Sequence, residues 1–230
     1  MELVQLLNAA SIPASVPASA RIILMPAAFQ PLAQFRDHGF DAALRDRQPA
    51  VELQFAAPRL ADLNDRRWIP ELYEQLIAPA RASGMRIWLG GVSLGGFMAL
   101  RVAAQYPDAL DGLCLLAPYL GSRIIAAEVA AAIASGADVQ DALDEDDDER
   151  RIWRYVARSG TSARGARIFL GFGSEDRFAD TQRLMADLLQ QPATATRTMT
   201  HTMKGGHDWP VWRALWQAFI ELWDDFECPT

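Results

Sequence analysis

The chain has 230 residues, half of them apolar, with a formal net charge of −7 and a sequence pI near 5.0. That is enough apolar material for one sizeable core, so a single domain is expected, and the acidic balance gives no electrostatic reason to approach nucleic acid or an anionic membrane surface. Two cysteines, Cys114 and Cys228, are too few for a disulfide framework, and three histidines, His38, His201 and His207, are too scattered for a zinc triad, so neither a metal nor a cofactor is expected.

The first stretch, "MELVQLLNAASIPASVPASA", has an acid at position 2, no basic segment and no apolar run of signal or membrane-span length. A soluble, cytoplasmic protein is the expectation, with the Pro/Ala/Ser-rich part near residues 10 to 20 as a mobile lead-in. From about residue 20, short β-rich runs alternate with longer amphipathic ones, which is the pattern of βαβ units around a parallel sheet. Strands are predicted at 20–27, 51–56, 86–92, 110–117, 166–173 and 195–203. Most are near-continuous apolar runs, as strands covered on both faces should be. The last alternates, with Thr196, Thr198, Thr200 and Thr202 on one side, and reads as an edge strand. Cys114 sits within "LDGLCLLAPY" and reads as a small buried thiol.

Helices are predicted within residues 60–84, where Leu72, Leu76 and Ile77 share a face and Gly84 is the stop, from Leu94 to Tyr106 before Pro107, and over "FADTQRLMADLLQ". A final helix, "WPVWRALWQAFIELWDDF", carries Trp212, Leu215, Trp216, Phe219 and Trp223 at helical spacing, a core-packing stripe. Residues 120–160 break the rhythm. They are Ala-rich, then acidic in "DALDEDDDERR", then aromatic in "IWRYVA". This length can hold a crossover helix plus extra helices, predicting a small helical lid over the carboxyl edge of the sheet, with the acidic run as a solvated helix entry.

One short stretch carries chemistry. In "RIWLGGVSLGGFMAL", Gly91-Val92-Ser93-Leu94-Gly95 fits G-x-S-x-G with a buried strand before it and a helix after it. A sharp strand-to-helix turn leaves no room for side chains at 91 or 95, Gly96 lets the helix lie close to the next strand, and Ser93 is raised at the carboxyl end of the sheet with the Leu94 amide aimed above it. The glycines fit neither a P-loop, which needs a Lys-Ser/Thr pair, nor a dinucleotide fingerprint.

A serine hydroxyl needs a base, and the base needs an anionic partner. "GFGSEDRFAD" follows the fifth predicted strand and offers Asp176, with Glu175 as its neighbour and alternative; "MKGGHDWP" follows the sixth and offers His207. Both lie at carboxyl ends of parallel strands, where open α/β sheets bind ligands. His207 is favoured over His201, which lies inside a strand pattern, and over His38, which lies in a helix-like stretch. Asp208 reads as the cap of the last helix.

"GVSLGGFMAL", "LLAPYLG", "GFGSEDRF" and "GGHDWPVW" together resemble the α/β-hydrolase superfamily, in particular its compact bacterial serine hydrolases of carboxylesterase type. The resemblance spans about residues 20 to 226 and implies a mostly parallel sheet with helices on both faces. The short N-terminal segment leaves no room for the antiparallel pair that often begins the fold, so about six strands are expected. It also implies a second oxyanion donor in the loop after the first strand, where Pro26-Ala27-Ala28-Phe29 stands in place of a glycine-rich sequence; Ala28 is the candidate, with Ala27 and Phe29 as alternatives. The implied reaction is two-step acyl transfer from a small-molecule ester or thioester, with Phe29, Tyr119, Trp153 and Trp209 as the aromatic rim that selects it. Thioesterase or acyltransferase chemistry on the same fold, and a binding module that has lost catalysis, are the competing readings.

Overall fold

The computed structural model describes residues 4–8, 18–47, 50–59, 63–143, 147–158, 166–190 and 198–227. All six predicted strands form: Ala20–Met25 (β2), Val51–Pro58 (β3), Arg86–Val92 (β4), Gly112–Leu116 (β5), Arg167–Gly173 (β6) and Thr198–Met203 (β7). A seventh, Val4–Asn8 (β1), pairs antiparallel with β3, Val4 opposite Pro58, and makes the sheet one strand wider than expected. Its signal in the sequence is weak because it is a half-solvated edge of five residues, with Val4 buried but Leu6 45% exposed. Most of the lead-in predicted near residues 10 to 20 lies outside the described residues, as does Cys228.

The strand order is β1-β3-β2-β4-β5-β6-β7, parallel throughout except for β1. The chain therefore runs outward from β2 to β3, then returns to the other side of β2 and proceeds through β4. The carboxyl ends of β2 and β4 flank that reversal, the place where loops diverge and leave a crevice.

Strand residues alternate between two apolar layers. Ile23, Met25, Ile87, Leu89, Leu113 and Leu115 face one core, Ile22, Leu24, Trp88, Cys114 and Leu116 the other. The first core is roofed by Trp68–Leu72 (α3), a π-helical turn Tyr73–Ile77, Ala78–Ala82 (α4), Leu94–Gln105 (α5) and Ala179–Leu189 (α9). The predicted stop after α4 is present, with Gly84 at φ +84°. The second core is roofed by Ala33–Asp37 (α1), Phe40–Arg47 (α2), Trp209–Glu221 (α10) and Trp223–Glu227 (α11), and the aromatic stripe of α10 and α11 is buried there as expected. Cys114 is fully buried, and burial pushes its thiol well above the usual range, so it is inert.

The segment that breaks the rhythm forms Arg123–Ser135 (α6), Val139–Ala142 (α7) and Asp148–Arg158 (α8). These helices join the first layer, with α8 against α5 and α9. At the acidic entry, Asp148 pairs with Arg66 (3.2 Å) and with the buried Arg101 (2.5 Å), so this acid ties α8 to α5 and to the segment before α3 within that layer. No helix among the described residues is long and apolar enough to cross a membrane.

Candidate active site

Ser93 sits at φ +53°, ψ −113°, between β4 and α5. A non-glycine residue in this region is strained, and its surroundings fix it there. Its N–H donates to the Leu116 carbonyl at 3.0 Å, and its own carbonyl accepts from Gly96 and Tyr119, both at 3.0 Å. The predicted need for small neighbours is borne out sterically. A Cβ on Gly91 would lie 2.4 Å from the Met25 carbonyl oxygen, one on Gly95 2.0 Å from the same atom, and one on Gly96 2.8 Å from Pro118 Cβ.

His207 stands in the loop between β7 and α10, where Asp208 caps α10 by accepting from the Val211 N–H. Its Nε2 is 2.8 Å from Ser93 Oγ and its Nδ1 2.7 Å from Asp176 Oδ2. An ionised carboxylate can only accept, so the proton lies on Nδ1 and donates to Asp176, leaving Nε2 to accept from the Ser93 hydroxyl. The ring is held edge-on between Phe178 (5.1 Å) and Trp212 (5.2 Å).

Of the two candidate acids, Asp176 is buried and faces His207, while Glu175 is exposed. Asp176 Oδ1 accepts from the Phe178 N–H at 2.8 Å, and Oδ2 also meets Gln182 Nε2 at 3.4 Å. Burial works to raise this carboxyl, but the hydrogen bonds from His207 and Phe178, the His207 charge and Gln182 together outweigh it and hold Asp176 below the usual carboxylate range. A carboxyl depressed in the folded state adds stability above its unfolded pKa of about 3.9 and loses it as pH falls. Asp176→Asn should therefore be less stable than the parent by about 1–3 kcal/mol at neutral pH, the worth of hydrogen bonds to a charged group. In urea titrations that gap should narrow between about pH 5 and pH 3.

Leu94 opens α5, where an N–H has no acceptor within the helix. Ala28 is the second residue of the turn closed by the Gln30 N–H on the Ala27 carbonyl, so its own N–H stands outside that bond. Both residues line one cleft of about 420 Å³ that also reaches Phe29, Leu63 and Met98. The third residue of the turn is Phe29, 85% exposed at φ +61°, a strained aromatic on the lip of the cleft.

The other predicted rim residues divide. Tyr119 is near the site, its ring 5.6 Å from Phe97 and 5.5 Å from Phe178, and its hydroxyl 3.4 Å from Glu149. Burial and the Glu149 charge raise its phenol. Trp153 is a correction: it is 1% exposed, and its indole N–H donates to the Leu120 carbonyl, because the apolar face of α8 is turned into the core. Trp209 is half-buried in the second layer, stacked on His38 at 4.1 Å. His201 lies exposed on β7.

Several residues around the site were missed by sequence reasoning. Phe97 and Phe178 lie in helix-like stretches with no motif to mark them, and Trp212 reads as core because it belongs to the buried stripe. Glu149 was hidden in the acidic run; its Oε2 accepts from the Ser122 N–H at 2.8 Å and so fixes the loop that carries Tyr119. Gln182, fully buried, also donates to the Pro118 carbonyl at 3.1 Å, tying the acid loop to the same segment.

Comparisons with known proteins agree with this architecture. The model of the Esterase family, described as "Putative esterase", matches residues 69–222. No curated protein sequence gives a significant match. Among solved structures, Est1E from Butyrivibrio proteoclasticus superposes with a TM-score of 0.63 at 13% identity, covering 97% of this chain and 93% of that one. The fluorophosphonate-binding serine hydrolase F of Staphylococcus aureus gives 0.62 at 12% identity over 95% and 96% of the two chains. S-formylglutathione hydrolase from the same organism gives 0.61 at 12% identity over 90% and 82%. At such identities the likeness is one of fold.

Proposed function

Because this chain belongs to the Esterase family, hydrolases acting on ester bonds, we propose that it cleaves a carboxylic ester or thioester of a small molecule through Ser93, His207 and Asp176. The observation that carries the reading is the unbroken hydrogen-bond chain from Asp176 to His207 to Ser93, at 2.7 and 2.8 Å, ending on a serine held in strained backbone. In the first step His207 Nε2 takes the Ser93 proton as Oγ bonds to the carbonyl carbon, and Asp176 stabilises the imidazolium that results. The oxyanion is held by the N–H groups of Leu94 and Ala28, which meet the charge only as it develops. Collapse expels the alcohol or thiol, which takes the proton from His207. Water deprotonated by His207 then attacks the acyl-enzyme, releasing the acid and restoring Ser93.

The test is reaction of the purified protein with a fluorophosphonate probe, followed by turnover of p-nitrophenyl esters from acetate to octanoate. Labelling on the peptide that contains Ser93, with ester turnover abolished by the label, is the expected result. Folded protein that neither labels nor turns over any of these esters would overturn the reading.

A further inference from the structure

We infer that Gln182 is a positioning residue for the acyl transfer: its side-chain amide holds the Asp176 carboxylate, and through it His207, in register with the segment that supports Ser93. The inference deepens the hydrolytic reading and rests on it for the roles of those three residues.

Gln182 stands one turn into α9 and is fully buried. Its two side-chain partners are both acceptors, the Pro118 carbonyl at 3.1 Å and Asp176 Oδ2 at 3.4 Å. A carbonyl and an ionised carboxylate only accept, so the NH2 end of the amide has to face them. The oxygen end then meets no donor: Oε1 is buried without a hydrogen-bond partner among the described residues. An unpaired buried carbonyl is costly, and an apolar side chain of the same length would fill the space without that cost. What the amide adds is a pair of N–H donors, delivered to the acid and to Pro118.

The Asp176 side chain is fully enclosed, and Oδ2, the oxygen that receives the His207 Nδ1 proton, is the one that Gln182 reaches. Burial works to raise this carboxyl, and the Gln182 amide acts with His207 and Phe178 to hold it down. Because the Phe178 N–H already holds Oδ1 at 2.8 Å, the amide on Oδ2 fixes the plane of the carboxylate and so the direction from which His207 can donate.

The other end of the link is the support of the nucleophile. The Leu116 carbonyl accepts from the Ser93 N–H and the Tyr119 N–H donates to the Ser93 carbonyl, both at 3.0 Å, so residues 116–119 clasp the strained serine. Ala117, inside that clasp, is itself strained, fully buried at φ +47° and directly before a proline. Such a corner keeps its shape only where its surroundings over-determine it, and the bond from Gln182 to Pro118 is one of those constraints. Together the contacts close a ring that starts at Ser93 Oγ, passes through His207, Asp176, Gln182 and the Pro118–Tyr119 segment, and returns to the Ser93 carbonyl.

Gln182→Met removes the donors and keeps the length of the side chain. It should lower kcat for p-nitrophenyl acetate by about 10- to 100-fold with KM within about twofold, the pattern of a displaced reacting group rather than of lost binding; Gln182→Leu serves if the first variant does not fold. In an Asp176→Asn background the same substitution should cost less than about twofold, since the residue acts through the carboxylate that this background lacks. A kcat within about twofold of the parent's, or a fall repeated in full in the Asp176→Asn background, overturns the inference. The proton between His207 Nδ1 and Asp176 gives a far-downfield signal in proton NMR spectra that needs no substrate, and Gln182→Met should displace or broaden it. If the wild type neither labels with the fluorophosphonate probe nor turns over esters, the hydrolytic reading fails, while a displaced signal still supports the hold of Gln182 on the pair. A signal identical to the wild type's overturns the inference whatever the catalytic result.

Discussion

Ser93→Ala and His207→Ala are each expected to lower kcat for ester hydrolysis by about 10⁴- to 10⁶-fold, with the double variant close to the worse single one. The non-additivity is the informative part. Under the proposed mechanism serine without base, or base without serine, leaves no route to the acyl-enzyme, and what remains is binding plus the amides of Leu94 and Ala28 acting on a water attack. Among the described residues, the Ser93 and His207 side chains hydrogen-bond only along the chain Asp176–His207–Ser93, and Ser93 caps no helix through its side chain. Thermal midpoints close to the parent's should accompany the loss. Burst and steady-state kinetics on a p-nitrophenyl ester measure both. A Ser93→Ala protein retaining more than about 1% of activity would mean that another nucleophile carries the reaction, since only loss of an accessory group leaves so much.

Gly95→Ala should be among the most damaging single methyl additions at the described glycines. The new Cβ would lie 2.0 Å from the Met25 carbonyl oxygen, 2.5 Å from its carbon and 2.9 Å from the Pro26 oxygen. All three are backbone atoms at the end of an inner strand, so no side chain can swing aside, and a cost of about 3 kcal/mol or more follows. For a chain of this length that is a fall in Tm of about 10 °C. The same contact positions the chemistry. Gly95 follows Leu94, and Pro26 precedes the Ala27–Gln30 turn, so forcing them apart separates the two amides that would hold the oxyanion. Activity should fall even at temperatures where the protein stays folded. Gly136→Ala is the control: it caps α6 at φ +71° with nothing within 4 Å of the added Cβ, so it should cost only about 1 kcal/mol, the left-handed backbone strain, and leave ester turnover alone.

Sequence alone determined what depends on local pattern. The β and α periods gave six strands, the long helices and the buried α10 stripe, because each is a run whose apolar spacing matches one backbone geometry. Ser93 was legible because a strand-to-helix turn this sharp excludes side chains on either side of it, and Asp176 and His207 were legible as the right residue types at strand ends. Tertiary structure decided whatever depends on which elements become neighbours. The return of the chain across β2 put the β2 and β4 loops side by side, and only that brought Ala28 to Leu94 and built the cleft beside them. Asp176 prevailed over Glu175 because the loop turns one carboxylate toward His207 and the other to solvent, a one-residue difference that no spacing rule resolves. Trp153 went to the core because an aromatic on an amphipathic helix looks the same in sequence whether its face meets a ligand or another helix, and α8 packs that face against α5 and α9. Local geometry is written residue by residue, whereas a site assembled from five loops is set by the order in which strands pair, and that order is fixed by the free energy of the whole sheet and its two cores.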